Sequence, residues 1–242
     1  MTTGLLVLAA ALWGAAAGAL LPRAAYRFSA PSGEVWREEC PGGHTVRGWL
    51  GRAACPECAE PAYGPRTTPL LIATALVCAV LAAATGTRPE LGVWLLLAPV
   101  GVLLTVVDFR VRRLPDPLTL PFAAAALVLL GLTALVPEHA GHWTTALLAS
   151  LALGGGYFVL FLVNPAGMGF GDVKLALGVG AALGWYGWPT VMLGTFAGFL
   201  LGALYGAALV ITRRATRKTA IPFGPFLITG ALLGLLVGSY TA

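Results

Sequence analysis

Charge is what this chain has least of: only 10% of its 242 residues are Asp, Glu, Lys or Arg, beside 58% hydrophobic residues. With a mean hydropathy of +0.84, that scarcity excludes an ordinary soluble domain, where about a quarter of residues are charged. No basic residue precedes the first apolar run, and Arg23 follows it. That reverses the charge order of a cleavable secretory signal, so the run is expected to stay as a membrane span. No internal repeat and no low-complexity segment is visible.

What is present is a series of long apolar runs. Crossing a bilayer takes about 20 such residues, and eight candidates meet or approach this: 4–22, 69–86, 91–107, 118–136, 143–163, 173–187, 189–212 and 222–240. The sixth is short, and its boundary with the seventh at Gly187, Trp188 and Pro189 is the least defined. The expected fold is an all-α polytopic membrane helix bundle of about eight transmembrane helices. Its parts are a first helix at 1–22, a small cytoplasmic insert at 23–68 and a seven-helix core at 69–242.

If the first span runs from outside to inside, 14 of the 15 basic residues fall on the cytoplasmic side and only Arg88 lies outside. That is the positive-inside pattern. It places both termini outside and accounts for the pI near 9.3 without a nucleic-acid partner. Arg213, Arg214, Arg217 and Lys218 form a basic turn on the same side, suited to anionic membrane lipid.

The insert holds five of the ten acids and six of the fifteen bases. Within it Cys40, His44, Cys55 and Cys58 make a C-x3-H followed by C-P-E-C, a donor set that suits tetrahedral zinc. Thiols on the cytoplasmic side stay reduced, which favours metal over disulfide. Unligated thiols and a solvated His44 are the alternative. Cys78 lies inside the second span and reads as a small packing residue.

The acids sort sharply. Glu34, Glu38, Glu39, Glu57 and Glu60 belong to the insert, while Glu90 and Glu138 belong to outer loops. Asp108, Asp116 and Asp172 remain near membrane depth, all at cytoplasmic ends of spans. Charge inside a bilayer costs about 2.5–3.5 kcal/mol at a helix centre and less near an end, so retained carboxylates ask for a reason. Local readings exist: Arg110, Arg112 or Arg113 can pair with Asp108, Asp116 can start a helix, and Asp172 can cap one. Pro115, Pro117 and Pro121 interrupt regular helix near Asp108, and Pro222 and Pro225 do so at the last span. In NPAGMGFGDVKL (164–175), Gly169 and Gly171 allow tight turning or close approach beside Asp172. His139 and His142 read as solvated loop residues, and Gly198, Gly202 and Gly206, four apart, as a helix-packing stripe.

Two carboxylates on one face, in a bundle that limits water, suit peptide hydrolysis by an activated water. A pair sharing one proton supplies a base and an acid. Neither metal nor covalent intermediate is required, and the titration belongs to the pair.

The segments GMGFGDVKL (167–175), VDFRVRRLPDPLTLP (107–121) and IPFGPFL (221–227) resemble those of type IV prepilin peptidases, GxGD-type intramembrane aspartic proteases. ALLPRAAYR (19–27) is similar to the family's start, with Pro22 where asparagine is common. The resemblance implies an enzyme of the cytoplasmic membrane that removes the leader of type IV prepilins or pseudopilins, after a glycine. It implies Asp108 and Asp172 as the catalytic pair and Asp116 as a supporting residue. Gly169 and Gly171 would shape substrate approach, with Lys174 beside the site. Many members also methylate the new N-terminus from S-adenosylmethionine, an activity linked to an insert with two CxxC pairs. Here Cys40 and His44 replace the first pair, a departure from that pattern that keeps four donors for zinc. The competing classes are a proton-coupled transporter or channel, which predicts acids near mid-membrane, and a noncatalytic secretion-system component.

Overall fold

The computed structural model describes residues 2–58, 62–165, 167–214 and 221–242. Glu60 of the insert and Arg217 and Lys218 of the basic turn lie outside these. Among the described residues there are eight helices and no strand. They are α1 (Thr3–Phe28), α2 (Thr67–Thr85), α3 (Glu90–Val111), α4 (Asp116–Thr133), α5 (Trp143–Val163), α6 (Phe170–Gly184), α7 (Trp188–Ile211) and α8 (Gly224–Thr241). Seven are long and apolar enough to cross a membrane. The protein is a multi-pass helical membrane bundle.

The eighth expected span, α6, has 15 residues and rises about 22 Å, short of the roughly 30 Å hydrocarbon layer. It is instead the most enclosed helix. Eleven of its residues are buried, with Leu175, Ala176, Val179 and Leu183 packed among Phe122 and Ala126 of α4, Ala149 and Leu153 of α5, and Leu227 and Ala231 of α8. Between helices in lipid the driving force is close packing rather than water exclusion. At Gly180 a Cβ would lie 2.6 Å from the Ala149 carbonyl oxygen. Only glycine lets α5 and α6 approach so near. The expected stripe on α7 also packs: a Cβ on Gly198 would come 3.1 Å from the Phe226 oxygen, and one on Gly206 would come 2.9 Å from Ile221. Cys78, fully buried, is the packing residue it was expected to be.

Several boundaries move: α3 runs four residues past its expected end, to Val111, and α4 ends three residues early, at Thr133. The first helix continues through Pro22 to Phe28, six residues past its expected end. Pro22 cannot donate to the helix ladder, and the insert bridges the break. Gly51 donates to the Leu20 carbonyl at 2.7 Å and accepts from the Arg23 N–H at 3.0 Å. Arg23 and Arg27 then reach the carbonyls of Arg47 and Gly48 at 2.8 and 2.9 Å, so the insert wraps the end of α1. Helix α6 starts and stops three residues earlier than 173–187. Glu90 is not a loop residue. It opens α3 and is fully buried, accepting from the Tyr186 hydroxyl at 3.3 Å and the Ala140 N–H at 3.4 Å. His142 is exposed, whereas His139 is half-buried against Trp185.

Successive helices alternate in direction. The ends of α3 and α5, the starts of α4, α6 and α8, and the insert therefore gather at one end of the bundle.

Candidate active site

Asp108 lies in the last turn of α3 and is 4% exposed. The helix stops because Arg112 takes a left-handed conformation (φ 51°), its N–H returning to the Asp108 carbonyl at 2.8 Å. The Asp108 carboxylate accepts the Gly224 N–H at 3.0 Å. That donor is free because the first N–H groups of a helix have no partner within it, and the helix start also favours negative charge. Arg113, one of the residues considered as a local partner, turns to the insert instead. It donates to the Pro31 carbonyl at 2.8 Å and its guanidinium sits 4.3 Å from the Trp36 ring centroid.

Asp172 is 6% exposed and lies inside the first turn of α6. Gly169 is the residue before the helix, with extended backbone, and donates its N–H to Asp172 Oδ2 at 3.1 Å. Asp172 thus caps from the third helical position rather than from the one preceding the helix. Each aspartate is seated on a backbone N–H at the start of a buried helix, Asp108 on α8 and Asp172 on α6.

Leu114, between α3 and α4, brings these two helix starts together. A Cβ on Gly171 would lie 2.7 Å from Leu114 Cβ, and one on Gly224 would lie 3.2 Å from a Leu114 methyl and 2.9 Å from Asp108 Oδ2. Both glycines therefore allow close approach to the same side chain. Asp108 and Asp172 come within electrostatic range of each other.

Lys174 and Asp116 pair with each other at 2.6 Å, and the Lys174 ammonium lies 4.8 Å from the Phe170 ring centroid. Asp116 is more than half exposed. The pair ties the start of α4 to the first turns of α6. Two participants went unrecognised in the sequence, Leu114 and Gly224, although both stand inside quoted segments. A third is Tyr157 of α5, the only hydroxyl-bearing residue between Leu151 and Val163. It is 3% exposed and within electrostatic range of Asp172.

The insert forms a separate centre. The donor atoms of Cys40, His44, Cys55 and Cys58 all lie within 4.8 Å of one another. One backbone bridge pairs Glu39 with Thr45 and another pairs Ala54 with Ala62. His44 turns Nδ1 toward the sulfurs of Cys40, Cys55 and Cys58 at 3.3–3.6 Å. Its Nε2 faces Glu57 at 3.6 Å, as metal-bound histidines commonly face a carboxylate. Burial opposes ionisation of Cys40, yet hydrogen bonds from the His44 backbone, Cys58 and the Gly42 backbone bring its thiol down to about 6. A thiolate is the form that binds metal. Three sulfurs and one imidazole nitrogen at this spacing fit a four-coordinate metal ion.

The model of the type IV leader peptidase family matches residues 95–207, a stretch that contains both aspartates. Proteins named prepilin leader peptidase/N-methyltransferase are similar to the chain. The Pseudomonas aeruginosa protein is 33% identical over 214 residues, covering 81% of this chain and 69% of that protein. The Bacillus subtilis protein is 33% identical over 186 residues, covering 72% and 69%. The Aeromonas salmonicida protein is 37% identical over 152 residues, covering 60% of this chain and 48% of that protein. The chain spans about half the length of the Aeromonas relatives it matches. No solved structure matches it.

Proposed function

Because this chain belongs to the type IV leader peptidase family, we propose that it is an intramembrane aspartic endopeptidase. It removes the leader of a type IV prepilin or pseudopilin after a glycine, at the cytoplasmic face of the plasma membrane. The observation that carries this reading is the pair of buried aspartates, Asp108 and Asp172, each seated on a helix-start N–H, with Leu114 packed against both helix starts.

The two carboxylates share one proton between them. One takes a proton from water as the water oxygen adds to the scissile carbonyl carbon, and the other gives its proton to the carbonyl oxygen. The tetrahedral diol collapses as the C–N bond breaks: one carboxyl gives its proton to the nitrogen, the other carboxylate takes a proton from a diol hydroxyl as the carbonyl re-forms, and a carboxylic acid and an amine leave. The sum is peptide plus water, with the pair restored. Gly169 leaves room beside Asp172 for the substrate backbone, while Gly171 lets Leu114 close against the start of α6. Lys174 and Asp116 hold the rim, and because they are paired at an exposed edge, Asp116→Asn should cost at most about 1 kcal/mol. Thermal unfolding beside a turnover assay checks this: Asp116→Asn should keep most of its activity, and complete loss would move Asp116 into the reacting pair.

In the insert, zinc would be held by Cys40, His44, Cys55 and Cys58. Bound there, it supplies a structural cross-link between the two donor pairs. Metal analysis of protein purified without chelator should find about one zinc per chain, and Cys55→Ser with Cys58→Ser should lose it. A stoichiometry near zero in the unaltered chain ends the zinc assignment. The relatives' name also carries N-methylation, for which S-adenosylmethionine would be the donor. Labelled donor incubated with enzyme and prepilin tests it: label in the mature pilin adds the second activity, and unlabelled mature pilin removes it.

Sequencing the new amino terminus of a cleaved prepilin tests the main reading. A single terminus, formed by cutting after a glycine just before the hydrophobic helix, is expected. No cleavage by a folded, lipid-reconstituted chain would refute it.

A further inference from the structure

Helices α5 and α6 are antiparallel, and their contacts fix the register. Gly180 packs on Ala149 and Ser150, and Gly154 on Leu177. The same register sets Tyr157 level with Asp172. The ring of Tyr157 is held on two sides, with centroids 5.7 Å from Phe199 and 6.0 Å from Phe223. Phe223 is the residue before Gly224, whose N–H holds Asp108. Tyr157 is therefore level with Asp172 and, through Phe223, neighbours the Gly224 seat of Asp108.

Its hydroxyl is buried and has no hydrogen-bond partner in the protein. A buried, unpaired hydroxyl destabilises a fold, whereas phenylalanine would keep every ring contact without that cost. A packing role alone does not call for the oxygen. Donors in catalytic sites often find their partner only when the substrate is bound. A donor fixed at the level of Asp172, in a site that limits water, can meet the oxygen on which charge develops.

We propose that Tyr157 is a third catalytic residue, whose hydroxyl donates a hydrogen bond to the scissile carbonyl oxygen as water adds to the carbon. This rests on the aspartic peptidase reading. The donor keeps its proton throughout, so the bonds made and broken in hydrolysis are unchanged. Its contribution falls on the transition state rather than on substrate binding.

The test is Tyr157→Phe, assayed on a prepilin beside the unaltered chain, Asp108→Asn and Asp172→Asn, with a thermal unfolding curve for each. Tyr157→Phe should lower kcat by about 100-fold, leave KM nearly unmoved, and unfold at the same temperature or higher. A kcat equal to that of the unaltered chain overturns the proposal. So does a lower unfolding temperature, which would give the hydroxyl a structural partner. If the unaltered chain cleaves and neither Asn variant does while Tyr157→Phe is fully active, only the tyrosine assignment fails. If the unaltered chain does not cleave, the peptidase reading itself fails.

Discussion

Asp108→Asn and Asp172→Asn should each abolish leader removal while leaving the amount of folded protein unchanged. Asparagine keeps the shape and one acceptor oxygen. The Gly224 N–H can still bond at position 108 and the Gly169 N–H at position 172. What is lost is the ability to hold and pass a proton, and general acid–base groups contribute about 10²–10⁴-fold each. The two losses should not multiply. Groups that work as a unit are grossly non-additive, so the double variant should be no slower than either single one. Turnover of the three variants measured side by side checks this. A double variant slower by the product of the two single losses would mean that the aspartates act in separate steps.

Gly171→Val should reduce kcat/KM by about 100-fold or more, since misplacement by an ångström near a reacting centre costs roughly that much. A Cβ at this position would lie 2.7 Å from Leu114 Cβ and 3.3 Å from the Leu114 carbonyl oxygen. Neither atom is the movable end of a side chain, so the start of α6 must shift and carry Asp172 away from Asp108. The cost in stability should be smaller, about 1–3 kcal/mol for overpacking. Gly155→Ala is the matched control, because a Cβ there meets nothing within 4 Å. Turnover and thermal unfolding of both variants decide the matter. Unchanged kcat/KM in Gly171→Val would show that α6 need not sit against Leu114.

Much of this was legible from residue order. Apolar runs of membrane length reveal spans because the bilayer imposes a length. Asp108 and Asp172 stand out because charge at that depth is costly. The zinc-type donor set was readable from spacing, and the structure gathers all four donors. Other features depend on partners distant in the chain. Glu90, next to Pro89, reads as loop until Tyr186 and Ala140 close over it. The glycines before Asp172 read as a break, yet Phe170 and Gly171 are already helical. Gly169 and Asp172 tie that first turn across three residues. Leu114 and Gly224 belong to quoted segments, but their meeting beside Asp108 joins residues more than a hundred positions apart, which no periodicity reports. Tyr157 left one trace, a hydroxyl in an otherwise apolar stretch.

The most direct measurement is the intact mass of a prepilin after incubation with matched, folded amounts of the unaltered chain, Asp108→Asn and Asp172→Asn. Joint catalysis by the two carboxylates predicts loss of the leader's mass with the unaltered chain and the full precursor mass with both variants. Mature product from either Asn variant, at a rate near that of the unaltered chain, would contradict it.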